Sequence, residues 1–274
     1  MTKTKTFFCN ALYENSYAVS SGGACVIIDP GFDGEGELAR LYSYLGKEGL
    51  TPQAVLLTHG HADHIVSAGV LQRRYGIPVY LGEGEDGVLA ANDSLAAAFG
   101  VQLPKGMIPF GYTTVHDGDI IGFTADGAAS PDAIAAPGCR GRGPSPMGGA
   151  SERPARGEAA PSAALSFRVI ATPGHTPGGV CWYNEADGLL FSGDTLFEGT
   201  IGRTDLPLGE YDDLIRSVME KLIILPGETV VYPGHGPSTE ISVERTSNPF
   251  LEPFNEPETS FDPQHHTQSP SDER

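Results

Sequence analysis

The chain has 274 residues, 39% of them hydrophobic, enough for one sizeable core and read most simply as one large α/β domain. Its formal charge of −18, from 17 Lys and Arg against 35 Asp and Glu, argues against a nucleic-acid or anionic-membrane surface, because phosphate recognition needs clustered cations. No apolar core of a signal segment follows the N-terminal lysines and no stretch approaches a membrane span. The four cysteines, Cys9, Cys25, Cys139 and Cys181, are scattered without a CxxC. The expectation is a reduced, cytoplasmic protein without nucleic-acid or membrane partners.

In chain order, residues 17–20 and 24–28 read as strands, the second running into the turn Asp29-Pro30-Gly31. Residues 37–49 read as a helix with Leu38, Leu41 and Leu45 on one face. A buried strand at 54–58 follows, then a helix over 64–75 closed by Gly76, a strand at 78–81 and a helix over 87–99. This alternation predicts an α/β architecture. In the second half, 119–123 and 166–171 read as strands and 180–183 with 188–191 as a hairpin. Residues 211–225 read as a helix and 229–232 as a strand. Two half-chains, each ending strands in metal-type residues, fit two packed sheets with helices outside.

Residues 125–164 break the pattern. Of these 40 positions, 29 are Gly, Ala, Pro or Ser and none is aromatic, so the segment cannot bury enough to offset its ordering entropy. It is expected to be a disordered insertion at a hairpin tip, at the end opposite the chemistry described next. The folded domain is expected to span 1–251, with the insertion inside it. An acidic, Pro-containing flexible tail at 252–274 follows, where His265 and His266 receive no role.

The chemistry concentrates in Thr58-His59-Gly60-His61-Ala62-Asp63-His64, straight after the apolar run Ala54-Val55-Leu56-Leu57. Three imidazoles and a carboxylate within six residues have little structural use, and they are the donors that borderline divalent metals prefer. His59 and His61 alternate and can lean the same way. Asp63 and His64 begin the next element and point elsewhere, which suggests two metals. Read alone, Asp63 would be a helix cap. His175, Asp194 and His235 arrive singly, each in a Gly- or Pro-rich turn after an apolar strand. Read alone, each would be a turn or cap residue; given the histidine string, they become the partners that a metal site draws from elsewhere in a fold. His116 has no such context and reads as a surface turn residue.

The HxHxDH string at 59–64, followed in order by His175, Asp194 and His235, resembles the metallo-β-lactamase superfamily over about residues 7–250, the insertion apart. Three further segments resemble the single-domain glyoxalase II-like hydrolases more closely. They are Phe191-Ser192-Gly193-Asp194-Thr195-Leu196-Phe197, Gly202-Arg203-Thr204-Asp205-Leu206-Pro207 and Gly234-His235-Gly236-Pro237-Ser238-Thr239, with Glu244 and Asn248-Pro249-Phe250 beyond. The resemblance implies an αββα four-layer sandwich, two mixed β-sheets flanked by helices, with the metals at one edge. It implies two divalent ions, zinc expected and iron or manganese as alternatives. His59, His61 and His175 would hold the first, Asp63, His64 and His235 the second, and Asp194 would bridge them. Asp63 and Asp194 are the carboxylates assigned to catalysis, and Asp29 would support the histidine loop.

A metal-bridging hydroxide would attack a carbonyl polarised by one metal. No obvious free acid remains to protonate the leaving group. A thiolate hardly needs one, since a thiol pKa is roughly 8.5, whereas an amide nitrogen does. This favours a thioester or activated ester over a peptide-type bond, and the resemblance implies a small-molecule thioester of the hydroxyacylglutathione type, which is the expected reaction. One departure concerns the carrier. The longer glyoxalase II enzymes grip glutathione with basic residues of a C-terminal helical domain, yet only Arg245 and Arg274 are basic after His235. Arg203 is the candidate anion partner. The alternatives are a mononuclear-iron persulfide dioxygenase, whose ligands would match His59, His175 and Asp194, and a lactone or other ester hydrolase of the same fold. Gly-His-Gly-Pro around His235 and the downstream Asn-Pro-Phe favour the hydrolase. The sequence assigns no oligomeric state.

Overall fold

A computed structural model of the chain describes residues 1–99, 109–125 and 164–254. The expected insertion, apart from positions 125 and 164, and the expected tail beyond 254 lie outside the described residues. The first sheet contains β1 (Lys3–Cys9), β2 (Glu14–Ser21), β3 (Ala24–Ile28), β4 (Ala54–Leu56), β5 (Val79–Gly82) and β6 (Thr113–Val115), side by side in that order. The pairs β1–β2 and β2–β3 are antiparallel, and β3 to β6 are parallel. Its connections carry α1 (Gly34–Glu48), α2 (Ala62–Ile65), α3 (Ala68–Tyr75) and α4 (Asp86–Phe99).

The second sheet is built from β7 (Ile120–Phe123), β8 (Leu165–Ala171), β9 (Val180–Asn184), β10 (Leu189–Gly193), β13 (Val230–Pro233) and β14 (Thr239–Glu240), in the spatial order β14-β13-β10-β9-β8-β7. Only β10–β13 is parallel. A two-stranded ribbon, β11 (Leu196–Phe197) with β12 (Thr200–Ile201), stands beside it, with α5 (Tyr211–Ser217) and α6 (Ile241–Ser247). No described helix is long and apolar enough to cross a membrane.

The continuous apolar runs of the inner strands follow from burial on both faces. In β3, Val26 and Ile28 face the core between the sheets, while Cys25 and Ile27 pack with Leu41 and Leu45 of α1. In β9, Val180 and Trp182 enter the core between the sheets, and Cys181 and Tyr183 face the layer of α5 and α6 with Leu214 and Ile241. Strand periodicity of two thus sorts one run into three apolar layers, giving helix, sheet, sheet, helix. The sheets are also pinned by polar contacts. Trp182 Nε1 donates to Leu57 O at 3.0 Å and the Tyr17 hydroxyl to Pro233 O at 2.5 Å.

Several boundaries depart from expectation. The helix expected over 64–75 is two helices, because the chain between them is held to the loop after β3. Ser67 N donates to Pro30 O at 2.8 Å and Ser67 Oγ to Phe32 O at 2.6 Å. The helix expected over 211–225 ends its regular part at Ser217 and continues as a π-helical turn, Val218–Leu222. Strand β1 was not read from the sequence: only Phe7 and Cys9 of its seven residues are buried, as befits an edge strand carrying Lys3 and Lys5. Strand β6 was also missed, being three residues long and mostly exposed. The two ends of the insertion, Ala125 and Ala164, lie against Gly23 and Gly22 in the turn between β2 and β3.

Candidate metal centre

The seven predicted ligands come from four strand ends. His59, His61, Asp63 and His64 follow β4, while His175 follows β8, Asp194 follows β10 and His235 follows β13. The first four belong to one sheet and the last three to the other, so the centre sits at the seam. Backbone bonds close that seam locally: Val180 N donates to Thr58 O at 2.8 Å and Asn15 N to Gly234 O at 2.7 Å. The aim of Asp194 is set by a register shift between β10 and β13, which leaves Ser192 as an extra residue before the turn. Gly193 has φ +50°, and a Cβ there would fall 2.3 Å from Thr58 Oγ1, so only glycine lets the two loops meet.

All seven side chains converge. His59, His61 and His175 form one group with donor atoms within 4.8 Å of one another; Asp63, His64 and His235 form a second; Asp194 joins His59 and His64 in a third. Asp194 faces both sets, with Oδ1 3.5 Å from His64 Nε2 and Oδ2 3.5 Å from His175 Nε2 and 3.8 Å from His235 Nε2. Asp63 Oδ2 lies 3.3 Å from His235 Nε2.

The ring orientations have a common cause. Four of the five histidines anchor Nδ1 on a protein oxygen: His59 on Thr58 Oγ1 at 3.0 Å, His64 on Asp29 Oδ2 at 3.1 Å, His175 on Arg203 O at 2.7 Å and His235 on Leu12 O at 3.2 Å. An Nδ1–H donated outward leaves the Nε2 lone pair pointing at the shared space. His61 is the exception, with Nδ1 3.0 Å from His175 Nε2. Asp29 organises two of the rings at once. It accepts Thr58 N at 2.7 Å, Thr58 Oγ1 at 2.6 Å and His64 Nδ1. It sits at φ +44°, a conformation that an aspartate tolerates better than most residues and that brings its carboxylate under the histidine loop.

The donor atoms of this geometry suit a cation. His59 Nε2, His61 Nε2, His64 Nε2 and Asp194 Oδ1 are buried and have no hydrogen-bond partner among the described residues. Each such atom left unmade costs about 1–3 kcal/mol, so leaving His59, His64 and Asp194, which face one another, unsatisfied would be a heavy penalty unless an ion pairs with them. A set of imidazole and carboxylate donors suits zinc, iron or manganese. The residues present therefore fit the divalent metals that the sequence implies.

Charge divides the centre. Burial, reinforced by neighbouring imidazoles, holds His59 far below its usual range and His61 at about 4. Burial also opposes protonation of His64, but Asp63, Asp194 and Asp29 outweigh it and raise the ring to about 10. His235 is raised against burial by its bond to Asp63 and by Asp194. Burial would raise Asp63, yet His64 and His235 pull it below the usual carboxylate range. His59 and His61 thus favour the neutral ring, whereas His64 and His235 favour the proton that a bound metal would have to displace.

Four polar residues around the ligands were not read from the sequence. Glu85 accepts Gly60 N at 2.6 Å and Gly178 N at 2.8 Å, and Asn92 Nδ2 donates to Gly60 O at 2.9 Å. Thr58 relays between His59 and Asp29. Glu14 is fully buried behind His64, with Oε1 4.0 Å from Nδ1, and burial followed by the nearby Cys9 and Asp29 raises its carboxyl well above its usual range. Isolated acidic or amide residues carry no spacing signal, so only topology brings them here.

Arg203, the expected anion partner, serves the centre through its backbone carbonyl. Its half-exposed guanidinium makes two bonds to Asp205, at 2.7 and 2.8 Å. Glu244 and Asn248 brace the fold instead: Glu244 accepts Thr239 Oγ1, Gly199 N and Asn248 Nδ2, tying α6 to β14 and the ribbon. His116 is exposed beside Glu83 and Asp119, as a turn residue should be.

The sequence profile of the metallo-β-lactamase superfamily matches residues 9–235. A probable metallo-hydrolase, YqgX of Bacillus subtilis, is 35% identical over 243 residues, covering 89% of this chain and 94% of the relative. The hydroxyacylglutathione hydrolase GloC of Haemophilus influenzae is 31% identical over 226 residues, covering 82% and 86%. The crystal structure of TTHA1623 in a di-iron-bound form superposes with a TM-score of 0.67 at 32% identity, covering 90% of this chain and 100% of that one.

Proposed function

The chain belongs to the metallo-β-lactamase superfamily, and from that premise we propose that it is a dinuclear metal-dependent hydrolase cleaving a thioester of the hydroxyacylglutathione type. The observation that carries the reading is the pair of donor groups, His59/His61/His175 and Asp63/His64/His235, with Asp194 between them, its Oδ1 facing His64 and its Oδ2 within reach of both His175 and His235. A one-iron reading would use His59, His175 and Asp194 and leave His61, Asp63, His64 and His235 without a metal to hold. The likeness to GloC supports the thioester, and the di-iron form of TTHA1623 supports a pair of metals, with iron as well as zinc in scope.

Bound divalent metals supply Lewis acidity and a water acidified towards neutrality. The rest falls to the chain. Asp29 and Thr58 hold His59 and His64 in the tautomer that leaves Nε2 free, and the Arg203 and Leu12 carbonyls do the same for His175 and His235. Asp63 and Asp194 would offset the charge of bound metals at the seam. Hydrolysis adds water across the C–S bond, leaving a carboxylate and a thiol. The sulfur departs as thiolate, so the lack of a free acid among these residues is no obstacle.

The test is metal analysis of the purified protein alongside hydrolysis of S-lactoylglutathione, before and after chelation. About two metals per chain with chelator-sensitive cleavage supports the proposal. A single iron with no cleavage, and oxygen uptake with a persulfide substrate, overturns it.

A further inference from the structure

We infer that Glu85 and Asn92 are positioning residues for the first metal group, fixing His59, His61 and His175 through the backbone rather than by touching a metal. Gly60 is the residue between His59 and His61. Its N–H is held by Glu85 Oε2 at 2.6 Å and its carbonyl by Asn92 Nδ2 at 2.9 Å. Anchoring one residue on both sides fixes the peptide planes that flank it, and with them the directions in which both imidazoles leave the chain. The space is closed: a Cβ on Gly60 would lie 2.9 Å from Glu85 Oε2 and 3.2 Å from Leu89 Cδ2.

The second oxygen of the same carboxylate takes Gly178 N at 2.8 Å, three residues beyond His175. Glu85 therefore spans the gap between the loop after β4 and the loop after β8, which belong to different sheets. Both Glu85 and Asn92 are buried, at 1% and 2% exposure. A buried carboxylate is costly unless hydrogen-bonded, and here both oxygens are spent on the loops that carry the three histidines. Asp29 performs a comparable task from the other side of the histidine loop, holding His64 directly and His59 through Thr58, while Glu85 alone ties that loop to the one that carries His175. A glutamine at position 85 would supply one acceptor where two N–H groups need one each.

This inference rests on the division into two metal groups, and its readout is metal affinity rather than thioester turnover. Competition of the metal-free protein with a chromophoric chelator for zinc would be followed in wild type, E85A, E85Q and N92A. Cobalt(II) absorption would mark which site fills. The expected result is a loss of roughly 10–100-fold at one site in E85A, with the other site unchanged. E85Q should lie between E85A and wild type. N92A should lose roughly two- to tenfold at the same site. Equal weakening of both sites in step with a lower melting temperature of the metal-free protein would overturn the inference, as would wild-type affinity in E85A. If E85A does not fold, N92A decides: unchanged affinity at both sites overturns it. Selective metal loss in a protein without thioesterase activity would refute the thioester proposal alone.

Discussion

Replacing Asp29 by Asn keeps the shape of the side chain and changes the proton pattern beneath two ligands. In the native arrangement Asp29 Oδ1 accepts Thr58 N, while Oδ2 accepts both Thr58 Oγ1 and His64 Nδ1. An asparagine that keeps Oδ1 on Thr58 N must place its NH2 where Oδ2 was. Two donors then face a donor. The Thr58 hydroxyl must turn round and donate to His59 Nδ1, and His64 must take the other tautomer. Each change puts a proton on an Nε2 whose lone pair the metal needs. Substitutions of this kind cost 10–100-fold in metal affinity, or about 1.4–2.8 kcal/mol. All three charge-assisted bonds also become neutral ones, which lowers stability by about 1–3 kcal/mol. Chelator competition for zinc and thermal melting of the metal-free protein measure the two effects separately. Wild-type affinity at both sites in a folded D29N protein would refute the tautomer argument.

Gly234→Ala should lower turnover by about a hundredfold through displaced ligands, because the added Cβ would lie 2.3 Å from Asp194 Oδ1 and 2.6 Å from His64 Cε1; steady-state kinetics with metal analysis checks it. Burial pushes the thiols of Cys9 and Cys181 up to about 11 and that of Cys25 up to about 12, so iodoacetamide at pH 8 should alkylate these three only after denaturation. The same shifts fix a sign: above the ordinary thiol range the unfolded chain loses protons that the folded chain keeps, so stability falls as pH rises from about 9 towards 11, as denaturant titrations would show. Deleting residues 126–163 and joining Ala125 to Ala164 through a short Gly linker should leave turnover within about twofold. Both ends lie by the Gly22–Gly23 turn, at the opposite end of β3 from Asp29, and a tenfold loss would refute that placement.

The convergence of the seven candidate ligands was legible because metal chemistry demands rare residue types at short spacing, and because each isolated candidate was framed by Gly and Pro after an apolar run. The inner strands were legible for a related reason: β3, β4 and β9 are apolar on both faces and admit few other readings. What stayed hidden is polar and non-local. Glu85 contacts Gly60 from 25 residues away and Gly178 from 93. Nothing in the local pattern separates it from Glu83 two positions earlier, which is exposed. The break between α2 and α3 was equally invisible, since it depends on Ser67 reaching back to the loop after β3. Edge strand β1 alternates Lys and Thr, a pattern that serves solubility and carries little apolar signal.

Four of the candidate ligands hang from one sheet and three from the other, and this has a consequence for how the protein comes into being. Neither sheet alone carries the full donor set of the first group or the second: His175 must join His59 and His61, and His235 must join Asp63 and His64. During synthesis, the centre cannot exist until the last of these residues has emerged and β13 has docked beside β10. Metal affinity is therefore a gauge of docking. A lesion in the core between the sheets, at Trp182 or Phe191 for instance, would register first as lost metal while each sheet still held its own hydrogen bonds. Conversely, free metal ion concentration would set how tightly the two halves of the sandwich are clasped.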